Sequence, residues 1–431
     1  MRYKYFSSII ICSMIIFISL SSIVTPDKEV SELEGRTLEV IPLPSFIRDL
    51  FKNDSENILK ATQDNTTNEQ SRTDDLEVKR ENAATDQLES NIRFYLKGIL
   101  NGDYFNRWDK YFSDHIVGRD YFVSIYTQIQ KMLNKNYING VYFGKDDYLF
   151  SLPTYSQKTE EELEIRAQFF NELANKYNSS QLYLVNLPNK HTVYEEKNPI
   201  SGFISPYNGE FSRMVSKLDK NILVLDMEQY LTSDASYFYK TDHHWNMNGA
   251  YTGYSYIINQ LRTKFSQIPE VIDKGDFQIE KYKSCFVGSD GRKVGQLVDF
   301  KEDIEIWNHE AYSEMVIEIN GKRSSFYHLD NIDERSFNND YLVYMDGNNS
   351  LEIITNNDIN NDLSLVLIGD SMSNPLIPLL SLHFKNIYSY DMRHYKGDVA
   401  ADLQNLNPDI IMLISLNPNI VSSDSDIINI N

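Results

Sequence analysis

The sequence predicts an α/β fold: a parallel sheet flanked by helices, with a β-rich insertion and an N-terminal membrane helix. Three observations predict it. Five short, continuously apolar runs punctuate the 431-residue chain: "LYLVNLP", "NILVLDM", "LSLVLIGDS", "NIYSYDM" and "DIIMLIS". Such runs mark strands buried on both faces, as in a parallel sheet. Segments of helical period separate them. The interval 277–360 differs, being rich in alternating, β-branched and turn residues ("DGRKVG", "INGKRSS", "MDGNNS"), and reads as the β-rich insertion.

In chain order, Arg2 and Lys4 precede "YFSSIIICSMIIFISLSSIVT", and no charge returns until Asp27. That span is long enough to cross a hydrocarbon core of about 30 Å. Positive residues before it place the body outside the cytoplasm, so residues 1–26 are expected to be a signal-anchor in the cell membrane. A cleaved signal peptide is the rival reading, but no small-x-small cleavage site stands out. Residues 27–92 form a polar, flexible stalk, most evident in "NDSENILKATQDNTTNEQSRTDDLEVKRENAATDQLESN". Residues 93–276 and 361–431 are the two parts of the α/β body. "FNRWDKYFSDHIVGRDYFVSIYTQIQKML" has amphipathic helical spacing, and "GVYFGKDDYLF" reads as strand, turn and strand. Thr159 and Glu162 make a capping-box pattern ahead of a helix carrying Leu163, Phe170, Leu173 and Tyr177 on one stripe.

A formal net charge of -21 argues against nucleic acid, whose phosphates would be repelled. It makes an anionic membrane surface or a polyphosphate an awkward partner, whereas a neutral glycan is easily accommodated. The 29 tyrosines would suit stacking on sugar rings as well as core positions. The only cysteines, Cys12 and Cys285, provide neither a disulfide framework nor a metal site.

The strand "LSLVLIG" runs into Asp370-Ser371-Met372-Ser373 and then "NPLIPLLSLHF". Leu376, Leu379, Leu380 and Leu382 suggest a helix with Pro375 in its first turn. Strand, turn with serine and helix present a nucleophile at the carboxyl end of a sheet, with the helix N-terminus offering amides to an oxyanion. Asp370 is expected to serve the turn. A serine nucleophile needs a base, and the base a carboxylate. "TDHHW" supplies both, as Asp242 with His243 or His244. It lies just ahead of a helix containing Ala250, Tyr254, Ile257, Ile258, Leu261 and Phe265, with Asn246 or Asn248 as N-cap. Asp-His-His is also a metal-ligand cluster, but no upstream set of Asp and His completes one. His115, His191, His309, His328, His383 and His394 stand singly.

With "TDHHW" upstream of "GDSMS", the chain resembles the DHHW proteins, relatives of the alginate O-acetylation proteins within the SGNH hydrolase superfamily. Those proteins place an Asp-x-His-Trp motif before the serine, an order permuted relative to ordinary SGNH esterases. "SELEGRTLEVIP", "NGVYFGKDDYLF", "NLPNKHTVYEEKNP", "DYLVYMDGNN", "YDMRHYKGD" and "NPDIIMLIS" resemble further landmarks of that family. The resemblance implies a three-layer SGNH hydrolase-like fold with Ser371 as nucleophile, His244 as general base and Asp242 as its orienter. His243 occupies the variable middle position and is a second candidate base. Trp245 would pack under the imidazole or line the acyl pocket, or serve the structure alone. Arg393, Asn374 and Lys190 are candidate contacts to the acyl oxygen or acceptor. "SLNPN" departs from the charged Glu-Arg pair that relatives often carry.

The implied activity is extracytoplasmic, serine-dependent O-acetyl transfer, or acetylester hydrolysis, at hydroxyls of a cell-surface or exported polysaccharide. It would need no cofactor or metal, and a membrane-bound O-acyltransferase would be the partner supplying acetyl. The alternatives are a non-catalytic envelope or glycan-binding protein on the same fold, and a metal-dependent phosphoesterase.

Overall fold

The computed structural model describes residues 102–151, 157–199, 207–228, 230–231, 236–295, 301–332, 340–428 and 430, with isolated positions before 102. The expected membrane anchor and stalk therefore lie almost wholly outside the described residues. Among the described residues, no helix is long and apolar enough to cross a membrane. The chain divides into two compact units, residues 1–31 with 36–123, and residues 32–35 with 124–431.

In the first unit, helix α1 (Asp103–His115) is tied to Glu39. Arg107 and Lys110 reach the Glu39 carboxylate at 3.0 and 3.3 Å, and the Glu39 amide donates to Asp114. The expected amphipathic helix is two helices, because Gly118 adopts a left-handed φ of 79° before α2 (Arg119–Met132) begins.

The second unit opens with an antiparallel sheet of β1 (Tyr137–Ile138), β2 (Val141–Phe143) and β3 (Leu149–Ser151). Helix α3 (Glu160–Lys176) starts at the predicted capping box: Thr159 Oγ1 accepts from the Glu162 amide, and the Thr159 amide donates back to the Glu162 carboxylate at 2.7 Å. There follow β4 (Gln181–Leu187), α4 (Lys190–Val193), α5 (Tyr207–Val215), β5 (Leu223–Asp226) and α6 (Met247–Arg262). Next come β6 (Gln278–Phe286), α7 (Ser289–Val294), β7 (Glu302–Asn308), β8 (Val316–Ile319), β9 (Lys322–Arg323) and β10 (Leu351–Thr355). The chain ends with β11 (Ser364–Ile368), α8 (Leu376–Ser381), β12 (Asn386–Tyr390), α9 (Val399–Leu406), β13 (Ile410–Leu416) and α10 (Asn417–Val421).

The five apolar runs are β4, β5, β11, β12 and β13, parallel in the order β12-β11-β13-β4-β5. Successive side chains on a strand point to opposite faces, so an unbroken apolar run needs cover on both. Leu365, Leu367, Met412, Tyr183 and Val185 face a layer built by α6 and α8. Val366, Ile368, Ile411, Leu413 and Leu184 face the layer of α3, α5, α9 and α10. The result is a three-layer α/β body.

The sheet is mixed rather than wholly parallel. β10 pairs antiparallel with β12, β8 with β10, and β9 with β8, extending the sheet to eight strands. Part of the segment read as an insertion therefore belongs to the central sheet, and only β6 and β7 form a separate antiparallel pair. The alternating burial of β8 and β10 reports one strongly covered face. That pattern does not say which sheet a strand joins.

Candidate active site

Ser371 emerges where the central strand β11 ends. Gly369 extends the ladder by one bond to the Tyr390 carbonyl at 3.1 Å, and a Cβ there would meet Ile414 at 2.8 Å. Asp370 then organises the turn, as expected. One of its oxygens accepts the Met372 amide at 2.9 Å and the other the Ser415 hydroxyl at 2.7 Å. Asn419 donates to that hydroxyl in turn, so the divergent "SLNPN" is what anchors the nucleophile's neighbour. Helix α8 starts only at Leu376, beyond further turns, so the nucleophile does not sit at the helix terminus as expected. The Ser371 amide itself donates to no group among the described residues.

The base arrives on a tight hairpin. Phe238 pairs with Trp245 across it, the Tyr239 amide donates to the His244 carbonyl, and the Asn246 amide to the Tyr237 carbonyl. Asn246, not Asn248, caps α6: its side-chain oxygen accepts the amides of Asn248 and Gly249. At the hairpin tip, Asp242 Oδ1 accepts from the His244 amide at 2.9 Å and faces His244 Nδ1 at 2.5 Å. That leaves His244 Nε2 at 2.8 Å from Ser371 Oγ, across 127 residues of sequence. With Nδ1–H donated to a carboxylate, Nε2 is the nitrogen free to accept the serine proton. Burial opposes charge on Asp242, yet the His244 and His243 rings, the His244 hydrogen bond and the Ser289 amide hold its carboxyl well below the usual range. The ring of Tyr341 lies flat on His244, with centroids 3.9 Å apart.

Groups distant in sequence fix the hairpin. Lys190, expected to contact substrate, is 2% exposed and points into the hairpin instead. Its ammonium donates to the carbonyls of Tyr239, Lys240 and Asp242 and pairs with Asp290 at 3.4 Å. Burial disfavours the Asp290 charge, but Lys190, Lys293 and Ser151 keep its carboxyl below the ordinary range. Glu302 accepts the amides of Lys240 and Thr241 at 2.7 and 2.8 Å and the Thr241 hydroxyl at 2.5 Å. Gly288 abuts Asp242 so closely that a Cβ would lie 2.2 Å from the Asp242 Cβ, and the next amide, of Ser289, donates to Asp242 Oδ2. Sequence reasoning found none of Ser289, Asp290 or Glu302. "VGSDG" carried the one usable signal, a glycine ahead of a short helix, whereas Glu302 has acidic neighbours in "KEDIEIW".

The remaining candidates separate clearly. Trp245 is fully buried; its indole N–H donates to the Met372 carbonyl at 2.9 Å, locking the hairpin to the nucleophile turn rather than lining an open pocket. Asn374 is buried too, its amide donating to the Gly347 carbonyl at 2.8 Å. Arg393 is gripped in bidentate fashion by Asp391 at 2.8 and 2.5 Å. It leaves β12 at the same sheet edge as Ser371 leaves β11, beside a cavity of about 690 Å³ lined also by Tyr395, Lys396 and Asp398. His243 turns outward, its side chain 51% exposed, with Nδ1 3.1 Å from the Ser289 hydroxyl. His191 and His383 are core residues, pushed down to about 4 by burial.

Asp242, His243 and His244 present ligand atoms within 4.8 Å of one another. Yet both ring nitrogens of His244 face Asp242 and Ser371, and both Asp242 oxygens already accept protons. A metal there would have to break the relay, so the donor set fits a proton path better than an ion.

Residues 141–291 match the family model described as the SGNH hydrolase-like domain of the acetyltransferase AlgX, a stretch containing Asp242 and His244 but ending before Ser371. Among solved structures, the fold is similar to PatB1 of Bacillus cereus, which is 24% identical over 66% of this chain and 98% of its own, with a TM-score of 0.55. PatB1 carrying a sulfonyl adduct matches at 21% identity with the same coverage and TM-score. A DHHW family protein of Eubacterium siraeum is 17% identical, covering 67% of this chain and 94% of its own, at a TM-score of 0.53. No curated protein sequence matches the chain. The chain thus carries an SGNH hydrolase-like α/β domain, and the resemblance expected from "TDHHW" and "GDSMS" is shown.

Proposed function

We propose that this protein is an extracytoplasmic serine O-acetyltransferase, transferring acetyl to hydroxyls of a cell-surface or exported polysaccharide through an acetyl-Ser371 intermediate. The observation that carries the reading is the relay from Asp242 Oδ1 through His244 to Ser371 Oγ, closed by hydrogen bonds of 2.5 and 2.8 Å. In it, Ser371 Oγ attacks the acetyl carbonyl while its proton passes to His244 Nε2. Collapse of the tetrahedral adduct returns that proton to the departing oxygen. An acceptor hydroxyl then attacks the acetyl-serine, giving its proton to His244, and Ser371 Oγ recovers it. Asp242 keeps the imidazole oriented and stabilises its charged form. The Ser371 amide, which donates to no group among the described residues, is available to bind the oxyanion.

The match of residues 141–291 to an acetyltransferase family model supports transfer over hydrolysis. The Arg393 cavity, at the same sheet edge as Ser371, has room for an acceptor sugar. Arg2 and Lys4 ahead of the apolar N-terminal run support an anchored body outside the cytoplasm, where a membrane-bound O-acyltransferase would be the donor partner.

The test uses a chromogenic acetyl ester with the purified protein, an early acid quench and intact mass. An acetyl adduct is expected on wild type and absent from Ser371→Ala; its decay, accelerated by polysaccharide with acetyl recovered on the glycan, identifies transfer. Decay into water alone identifies an esterase. No adduct and no turnover, with glycan affinity unaltered in Ser371→Ala, would replace this reading with a binding protein.

A further inference from the structure

We propose that Tyr341 is a positioning residue for His244, acting through the face of its ring and not through its hydroxyl; this rests on His244 being the base for Ser371. The two rings are nearly parallel, 16° apart with centroids at 3.9 Å. The two hydrogen bonds of His244 lie at opposite corners of the imidazole and fix it within its own plane. They resist twisting about χ2 only weakly, and that torsion is intrinsically broad for histidine. A flat neighbour supplies the missing restraint: any twist drives the imidazole edge into the phenol ring. As Ser371 gives up its proton, the same π face lies against a forming imidazolium, a favourable contact.

Three features set Tyr341 apart from a core tyrosine that happens to touch the site. Its hydroxyl is buried and has no hydrogen-bond partner among the described residues, whereas Tyr344 donates to the Glu305 carbonyl and Tyr327 to the Trp307 carbonyl. The ring is itself clamped edge-on, by Tyr344 at 5.1 Å and Tyr239 at 6.4 Å, so it is a rigid wall. The wall is also fastened to the nucleophile. Met345, Asp346 and Gly347 follow in left-handed backbone (φ 60°, 59° and 87°), a costly run for the first two residues. Asn374, three residues beyond Ser371, donates to the Gly347 carbonyl and holds that turn in place. One short stretch of chain therefore sets both the serine and the surface against which its base lies. The His243 ring also comes within 3.9 Å of His244, but at 36° and on a half-exposed side chain.

The test needs no natural substrate. An aryl sulfonyl fluoride reacts with an activated serine: the Ser371 Oγ–S bond forms, fluoride leaves and the serine proton goes to His244. Labelling rates are read by intact mass for wild type, Y341F, Y341L and Ser371→Ala. Y341F is expected to label within about twofold of wild type. Y341L is expected to fall by roughly tenfold to a hundredfold, the scale of a small misplacement of a reacting group, with the reagent concentration for half-maximal rate unchanged. The His244 ring C–H resonances, assigned by their loss in His244→Ala, should lose the shielding of the stacked ring in Y341L and keep it in Y341F.

Wild-type labelling in Y341L would overturn the inference, as would Y341F failing as badly as Y341L, because the hydroxyl would then be the working group. If Y341L does not fold, Y341M takes its place as the variant without a ring, with the same drop expected and a wild-type rate overturning the inference. Absence of label on wild type itself would instead remove Ser371 as a nucleophile, and the inference with it.

Discussion

The nucleophile and its base meet at 2.8 Å but are held there by opposite means. Ser371 sits in a turn built mostly by its own neighbours: Asp370 binds the Met372 amide, the Ser373 amide binds the Asp370 carbonyl, and Ser415 and Asn419 complete the anchor. The Asp242–His244 hairpin is held from afar, by Lys190 and Asp290, both nearly out of water, and by the half-buried Glu302. Hydrogen bonds to neutral groups contribute modestly, and their loss costs about 1 kcal/mol each. A buried charge left without its partner costs several times more. The neutral outer support of the serine turn, Asn419, should therefore tolerate substitution better than the buried charges that hold the hairpin.

Lys190→Met tests this difference at its largest. The substitution keeps the apolar stem but removes the donor to three hairpin carbonyls and, among the described residues, leaves the buried Asp290 side chain with only Lys293 and Ser151. A loss of about 3–5 kcal/mol in urea unfolding is expected, against about 1 kcal/mol for Asn419→Ala on the serine side. Adding Asp290→Asn to Lys190→Met should recover part of the loss, because the stranded charge goes with it. Equal, small losses on the two sides would abolish the distinction.

Acidity sharpens the comparison next. Burial raises Glu302, against the opposing pull of the Thr241 hydroxyl, the Lys240 and Thr241 amides and the Lys190 charge. A carboxyl raised on folding binds more protons native than unfolded between its two values. Its contribution to stability is thus full below the unfolded value and is lost as pH rises through the folded one. Urea unfolding of wild type should show such a decline above the ordinary glutamate range, and Glu302→Gln should reduce it, leaving the part that belongs to Glu228 and Glu352, both pushed up to about 7 by burial. An unchanged slope in Glu302→Gln would assign the pH dependence elsewhere.

The same contrast explains what could be read from sequence. Local devices were visible: the Thr159–Glu162 box, the five buried strands, the strand running into Gly-Asp-Ser, and a cap at Asn246 or Asn248. Each depends on residues within a few positions of one another, which is the range over which period and capping rules operate. The hairpin's supports were not visible, because a lysine in "NLPNKH" and a glutamate in "KEDIEIW" look solvated until the fold closes around them. Lys190, on sequence one candidate contact to the acyl oxygen or acceptor, meets main-chain carbonyls instead. The mixed sheet escaped for a related reason. Alternation in β8 and β10 records one covered face, while β12, which β10 pairs with to carry both strands onto the parallel sheet, lies tens of residues downstream.

The smallest expected effect lies at the hairpin's exit, where a local device is embedded in the remotely held region. Asn246 caps α6 through the amides of Asn248 and Gly249, and its side-chain N–H donates to the Ser236 carbonyl. Asn246→Ala removes these bonds but not the main-chain bond from Asn246 to Tyr237, which closes the hairpin. The cost should be about 1 kcal/mol, that of a lost N-cap, with sulfonyl labelling of Ser371 within about twofold of wild type. Asn248 serves as control, since among the described residues its side chain hydrogen-bonds only to the exposed Lys274, and Asn248→Ala should cost close to nothing. A labelling rate that collapses in Asn246→Ala while stability falls by only that amount would mean that the cap steers the histidine directly. The hairpin would then join the serine turn as a locally built part of the site.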